Sequence, residues 1–123
     1  MDIDFMAIQG LAENGPLIDA TVDGHIVRAL VDTGAAVTCI RSDLAASLGL
    51  KQKGNEQWHD AHHDKFFPVY ETDLEIFGQL FSSHEINAYP IDPRKPFAML
   101  LGRDILVSFV LEYDGPRGTF SLR

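Results

Sequence analysis

One cysteine, Cys39, is the chain's whole thiol inventory, so no intramolecular disulfide can brace the fold. That scarcity fits a reducing compartment. Cations are also few: ten Lys and Arg against eighteen Asp and Glu leave a formal charge of −8. Phosphate binding needs clustered Lys and Arg, and the longest basic cluster, Lys51-Gln52-Lys53, is too small to make nucleic acid a partner. No stretch approaches the ~20 consecutive apolar residues of a spanning helix. The start, Met1-Asp2-Ile3-Asp4, lacks the positive charge and apolar run of a signal peptide, so the expected location is cytoplasmic. Repeats, low-complexity tracts and linkers are missing as well, which over 123 residues implies a single domain, 1–123.

What is present is an ordinary globular composition, 46% apolar and 23% charged, with eight Phe to fill a core. Turn signals recur at short intervals: Asn14-Gly15-Pro16, Asp23-Gly24, Phe77-Gly78, Pro90 to Pro96 and Asp114-Gly115-Pro116. Short strands between such turns predict an antiparallel, all-β domain. Ile18, Ala20 and Val22 alternate with polar neighbours, and Asp23-Gly24 suits a two-residue hairpin into His25 to Val31. That second strand becomes apolar on both faces, which places Leu30 and Val31 deep in the fold. Tyr70 to Ile76 alternates again, with Glu71, Asp73 and Glu75 facing water. Val107 to Tyr113 and Thr119 to Leu122 read as a last hairpin. Two short helices are expected, Ser42 to Gly49, with an N-cap candidate and a terminal glycine, and Arg103 to Leu106.

The second strand ends in Leu30-Val31-Asp32-Thr33-Gly34-Ala35, an apolar run that delivers one carboxylate into a tight turn. Hydrolysing a peptide needs a water made nucleophilic and a leaving nitrogen that receives a proton. Two carboxylates about 3 Å apart share one proton, so one acts as base while the other acts as acid. This chain has only one Asp-Thr-Gly. If the chemistry needs two such carboxylates, the second has to come from another copy, across a two-fold axis.

With Leu100-Leu101-Gly102-Arg103-Asp104-Ile105-Leu106 downstream, the chain resembles the retropepsin-like aspartic proteases from about Leu17 to Leu122, in a non-retroviral, bacterial type. The resemblance implies a closed barrel equivalent to half of a pepsin, a flap hairpin and a homodimer acting on peptide or protein substrates without cofactor or metal. It implies Asp32 as catalytic residue, with Thr33, Gly34 and Ala35 supporting the active loop. Thr33 would reach across the dimer, and Gly34 would let its amide approach the carboxylates. Leu30, Ala35 and Leu100 match positions that line substrate pockets. Gly102 matches a glycine behind the loop where a side chain would not fit, and Arg103 its structural arginine.

The chain departs from the retroviral pattern twice. Ala36 stands where those enzymes often carry an Asp that grips substrate and the arginine, so Arg103 needs another partner. The flap, about Glu56 to Phe66, lacks glycine between Gly54 and Gly78. It includes Trp58 and His59, and its tip falls near Asp60-Ala61-His62-His63. These imidazoles and carboxylates, with Asp64 and His84, raise a metal site, but a solvated hairpin tip is the simpler reading. Protonation of the histidines near pH 6 altering flap closure is a further reading. Cys39, inside Val37-Thr38-Cys39-Ile40, reads as a buried thiol rather than a nucleophile. The expected function is therefore an aspartic endopeptidase with an Asp32 dyad. Its rival is an inactive protease-fold dimer that binds peptides or partners. Val107 to Tyr113 and Thr119 to Leu122 could build the dimer's interface sheet without the N-terminus.

Overall fold

The alternation of Ile18, Ala20 and Val22 becomes one wall of the core: all three are buried, against exposed Asp19 between them. A computed structural model describes residues 6–7, 10–59 and 64–123. In chain order the elements are β1 (Met6–Ala7), α1 (Leu11–Asn14), β2 (Leu17–Val22), β3 (His25–Val31), β4 (Cys39–Arg41), α2 (Ser42–Ser47), β5 (Lys51–His59), β6 (Asp64–Ile76), β7 (Gln79–Tyr89), β8 (Met99–Leu101), α3 (Arg103–Leu106), β9 (Leu111–Asp114) and β10 (Thr119–Leu122). The fold is mostly β, as the spacing of turns predicts.

Two of those turns share a mechanism. Asp23 and Gly24 have φ of 47° and 81°, and Phe77 and Gly78 have 50° and 80°. Paired positive φ values give the turn whose twist matches a right-handed hairpin, and in each the glycine bears the larger angle at no steric cost. The hairpins β2–β3 and β6–β7 follow.

A seven-stranded sheet runs β2-β3-β8-β4-β7-β6-β5, and pairing of β2 with β6 closes six of these strands into a barrel. Val22, Ala29, Ile40, Leu74, Ile76, Ile86, Met99 and Leu101 fill it, each with essentially no exposure. Burying each larger aliphatic side chain of this set contributes about 1.5–3 kcal/mol. The order β3-β8-β4 positions the site. β8 lies between two strands that follow each other in the chain, parallel to β3 and antiparallel to β4. The segment from Asp32 to Thr38 joins β3 to β4 and therefore has to pass across the end of β8.

β9, β10 and β1 form a separate three-stranded antiparallel sheet, with Met6 opposite Phe120 and Ala7 opposite Thr119. The N-terminal strand thus pairs with the C-terminal hairpin of its own chain.

Several details differ from the sequence expectation. α1 is an unanticipated turn of helix, bracketed by Gly10 and Gly15 in positive φ. The last hairpin starts at Leu111, not Val107. The N–H groups of Val107, Ser108 and Phe109 still bond to carbonyls of the α3 turn, which keeps them out of a strand. Val31 is buried but Leu30 only half-buried. Ser42 lies within the first turn of α2 rather than capping it, and Asp43 takes up the Leu44 N–H instead. Gly49 ends that helix at φ 67°, as a terminal glycine should.

Candidate active site

Asp32 enters the site directly from β3. Its N–H donates to the Leu101 carbonyl at 3.0 Å, one residue beyond the last β3–β8 register pair, so the strand ladder fixes where its side chain begins. The chain then turns: the Ala35 N–H donates to the Asp32 carbonyl at 3.2 Å, and the Gly34 N–H donates to Asp32 Oδ1 at 2.9 Å. A Cβ on Gly34 would stand 3.1 Å from the same oxygen, so the glycine keeps that approach unobstructed. The carboxylate is half-buried, and Thr33 and Gly34 beside it are exposed. The result is an oriented carboxylate on a rigid base with one face open.

The loop is clamped from behind by residues 102–104. A Cβ on Gly102 would meet the Val37 carbonyl carbon and oxygen at 2.6 Å and the Ala35 oxygen at 3.0 Å. Only a bare backbone passes there, because the crossing of β8 described above brings two main chains into contact. The Arg103 N–H donates to the Ala35 carbonyl at 2.9 Å, and its guanidinium Nη1 donates to the Thr33 carbonyl at 2.8 Å. With Ala36 offering no carboxylate, Arg103 takes a main-chain oxygen of the loop as partner.

Three residues to which the sequence reading gave no catalytic or structural role complete the support. The fully buried Thr38 hydroxyl donates to Asp104 Oδ1 at 2.8 Å and accepts the Gly102 N–H at 3.1 Å. His84 Nε2 meets the other carboxylate oxygen, Asp104 Oδ2, at 2.9 Å. Burial raises the Asp104 carboxyl, but hydrogen bonds from His84 and Thr38 outweigh it and hold the group below the ordinary carboxylate value. A threonine inside the apolar run Val37 to Ile40 was the available signal, since a buried hydroxyl calls for partners.

Beside the carboxylate loop lies an apolar pocket of about 280 Å³ lined by Gly34, Ala35, Ala36, Val37, Cys39, Tyr89 and Leu100. Leu100 and Ala35 line it. Leu30 does not; its side chain lies against Gly15. Cys39 is buried at the pocket wall, with Sγ 3.6 Å from the Val37 carbonyl. Tyr89 packs against Phe67 of β6 with ring centroids 5.7 Å apart.

β5 and β6 pair antiparallel over a long register, with Trp58 opposite Lys65 and His59 opposite Asp64 in the backbone. Asp60, Ala61, His62 and His63 lie outside the described residues, so the histidine cluster does too. Among the described residues no group of three or more His, Cys, Asp or Glu side chains suits a metal ion, and His84 is engaged by Asp104. No described helix is long and apolar enough to cross a membrane.

The model of the family described as "gag-polyprotein putative aspartyl protease" matches residues 18–108, which span β2 through α3. No curated protein sequence matches the chain. Among solved structures, it is similar to the crystal structure of a retropepsin-like aspartic protease from Rickettsia conorii. The TM-score is 0.71 at 22% identity, over 99% of this chain and 89% of that one. It is also similar to the solution structure of the Simian Foamy Virus (mac) protease, with a TM-score of 0.56 at 21% identity over 72% of this chain and 89% of that one.

Proposed function

Since the chain belongs to the gag-polyprotein aspartyl protease family and has the retropepsin-like fold, we propose that it is an aspartic endopeptidase whose Asp32 works with Asp32 of a second copy. The observation that carries this reading is the placement of Asp32: a half-buried carboxylate, oriented by the Gly34 N–H, on a clamped loop next to an apolar pocket. One carboxylate so held lacks the second that general acid–base hydrolysis requires, and a two-fold axis beside the exposed Thr33-Gly34 turn would supply it. The paired carboxylates would share a proton. The ionised one takes a proton from water as it attacks the scissile carbonyl; the protonated one polarises that carbonyl and then passes its proton on to the departing nitrogen. The pocket lined by Leu100, Ala35 and Tyr89 suits an apolar side chain of the substrate, while Thr33 is the residue placed to meet the partner loop.

Ala36 gives the rival reading its support. A pocket rim without a carboxylate to anchor substrate backbone also suits a dimer that binds peptides without cutting them. Incubating a peptide library with the wild-type protein and with Asp32→Asn, from roughly pH 3 to 8, decides between them. Cleavage lost in Asp32→Asn supports the protease. Binding without cleavage by the wild type at every pH selects the binding module.

A further inference from the structure

His84 reaches the site by an irregularity in β7. Along the β6–β7 ladder Thr72 opposes His84 and Leu74 opposes Phe81, so Ser82 and Ser83 together face Asp73 alone. Ser83 adopts φ 49°, and its N–H donates to Asp73 Oδ1 at 2.9 Å. A strand alternates faces, so residues 81 and 84 would ordinarily point to opposite sides. The extra residue of the bulge puts His84 on the side of Phe81, whose ring it meets edge-on at 6.1 Å. From there His84 bonds to Asp104, Asp104 to Thr38, and Thr38 to the Gly102 N–H, directly under the loop that carries Asp32.

We infer that His84 is a positioning residue for Asp32, holding the 102–104 clamp through Asp104 and keeping it closed as the medium becomes acidic. The inference rests on the protease reading for its effect on catalysis. Without an imidazole partner, Asp104 retains the Thr38 hydroxyl and its own Ile105 N–H, with burial favouring the neutral acid. The proton then settles on Oδ2, the oxygen that His84 leaves bare, and the neutral acid at Oδ1 no longer grips the Thr38 hydroxyl as a carboxylate does. The hydroxyl's bond with the Gly102 N–H, and the seating of Gly102 against Val37, change with it. Another carboxylate, that of Glu85, also feels the imidazole, though its main partner is a lysine. This chain neighbour of His84 is held by Lys53 of β5, which also reaches Glu71 of β6. Asp73 is occupied by the bulge. On α3 the Arg103 side chain points away, to Thr33. Asp104 is therefore the acid that His84 serves.

The test compares wild type, His84→Ala and His84→Gln, the last keeping an N–H donor without an imidazole. By NMR, the Gly102 and Arg103 amides of the wild type should move as Asp104 titrates. The midpoint should lie at higher pH in His84→Ala. In kinetics, His84→Ala should lose kcat on the order of tenfold, with little change in KM. Its acid limb should move toward neutral pH, and His84→Gln should regain kcat near neutrality but not the wild-type acid limb. Equal amide midpoints in the wild type and the variants overturn the inference, as does an unchanged pH profile in a folded His84→Ala. Where His84→Ala does not fold, His84→Gln carries both readouts. A wild type that cleaves nothing overturns the protease reading alone, and the amide midpoints then still decide whether His84 acts on the loop.

Discussion

The guanidinium of Arg103 donates to the Thr33 carbonyl at 2.8 Å, tying α3 to the turn that follows Asp32. In a chain with Ala36, this bond gives the arginine a loop partner that does not depend on a carboxylate there. Arg103→Lys should therefore be poorly tolerated, because an ammonium lacks the planar fork that reaches Thr33 while the Arg103 main chain holds Ala35. A fall in kcat of roughly tenfold, with the fold retained by circular dichroism, is expected. Unchanged kcat would show that the main-chain bond alone fixes the turn.

Gly102→Ala should destabilise the chain by at least about 1–3 kcal/mol, the cost of overpacking where backbone meets backbone. The added Cβ would lie 2.6 Å from the Val37 carbonyl, which cannot rotate away as a side chain would. Urea unfolding measures the loss, and an unchanged midpoint would mean that the 32–38 crossing is looser than its geometry.

Thr38→Val removes a hydroxyl of similar bulk from a fully buried position. It leaves the Gly102 N–H and one bond to Asp104 unmet, so a loss of about 1–3 kcal/mol is expected. Asp104→Asn in the same background should cost less than it does in the wild type, because the two share one bond. A double-mutant cycle in urea measures that coupling.

Asp104 also gives stability a pH dependence. Its carboxyl is held below the ordinary value in the folded chain, so its contribution is complete above the unfolded carboxylate value of about 3.9 and disappears as pH falls through the lower folded value. Melting temperatures of wild type and Asp104→Asn should therefore differ most near neutral pH and converge below about pH 4. A constant difference across that range would remove Asp104 from the acid response.

On the proposed shared dyad each site would need two Asp32 residues, so specific activity should fall as dilution separates the copies. Sedimentation velocity and peptide cleavage over one concentration series should give the same midpoint. Activity that stays constant per chain where the protein is monomeric would refute the shared dyad.

Much of this was readable in residues alone. Alternation at Ile18 to Val22, the Asp23-Gly24 turn and the apolar approach to Asp32 are local, and local backbone preferences act before any tertiary contact forms. Leu100 to Asp104 was legible as a companion to Asp-Thr-Gly through the resemblance to the retropepsin-like proteases, not through any local preference. His84 and Thr38 were not. Their importance comes from a bulge that reverses the alternation of β7 and from a bond between Thr38 and Asp104, 66 positions apart. The apolar run around Thr38 signals a buried hydroxyl that needs partners without saying which, and nothing within a few residues of His84 announces its role.

The sequence by itself determined a single carboxylate at the end of an apolar strand, the Thr33-Gly34 turn that follows it and a β chain punctuated by turns. Only the tertiary structure decided that β8 slides between β3 and β4. That crossing brings the Gly102 backbone against Val37, gives Arg103 the Thr33 carbonyl, and stacks Thr38, Asp104 and His84 beneath the loop. The reason is the order of strands in the sheet: which main chains touch depends on long-range pairing, and the side chains that fit between them have meaning only after that pairing is made.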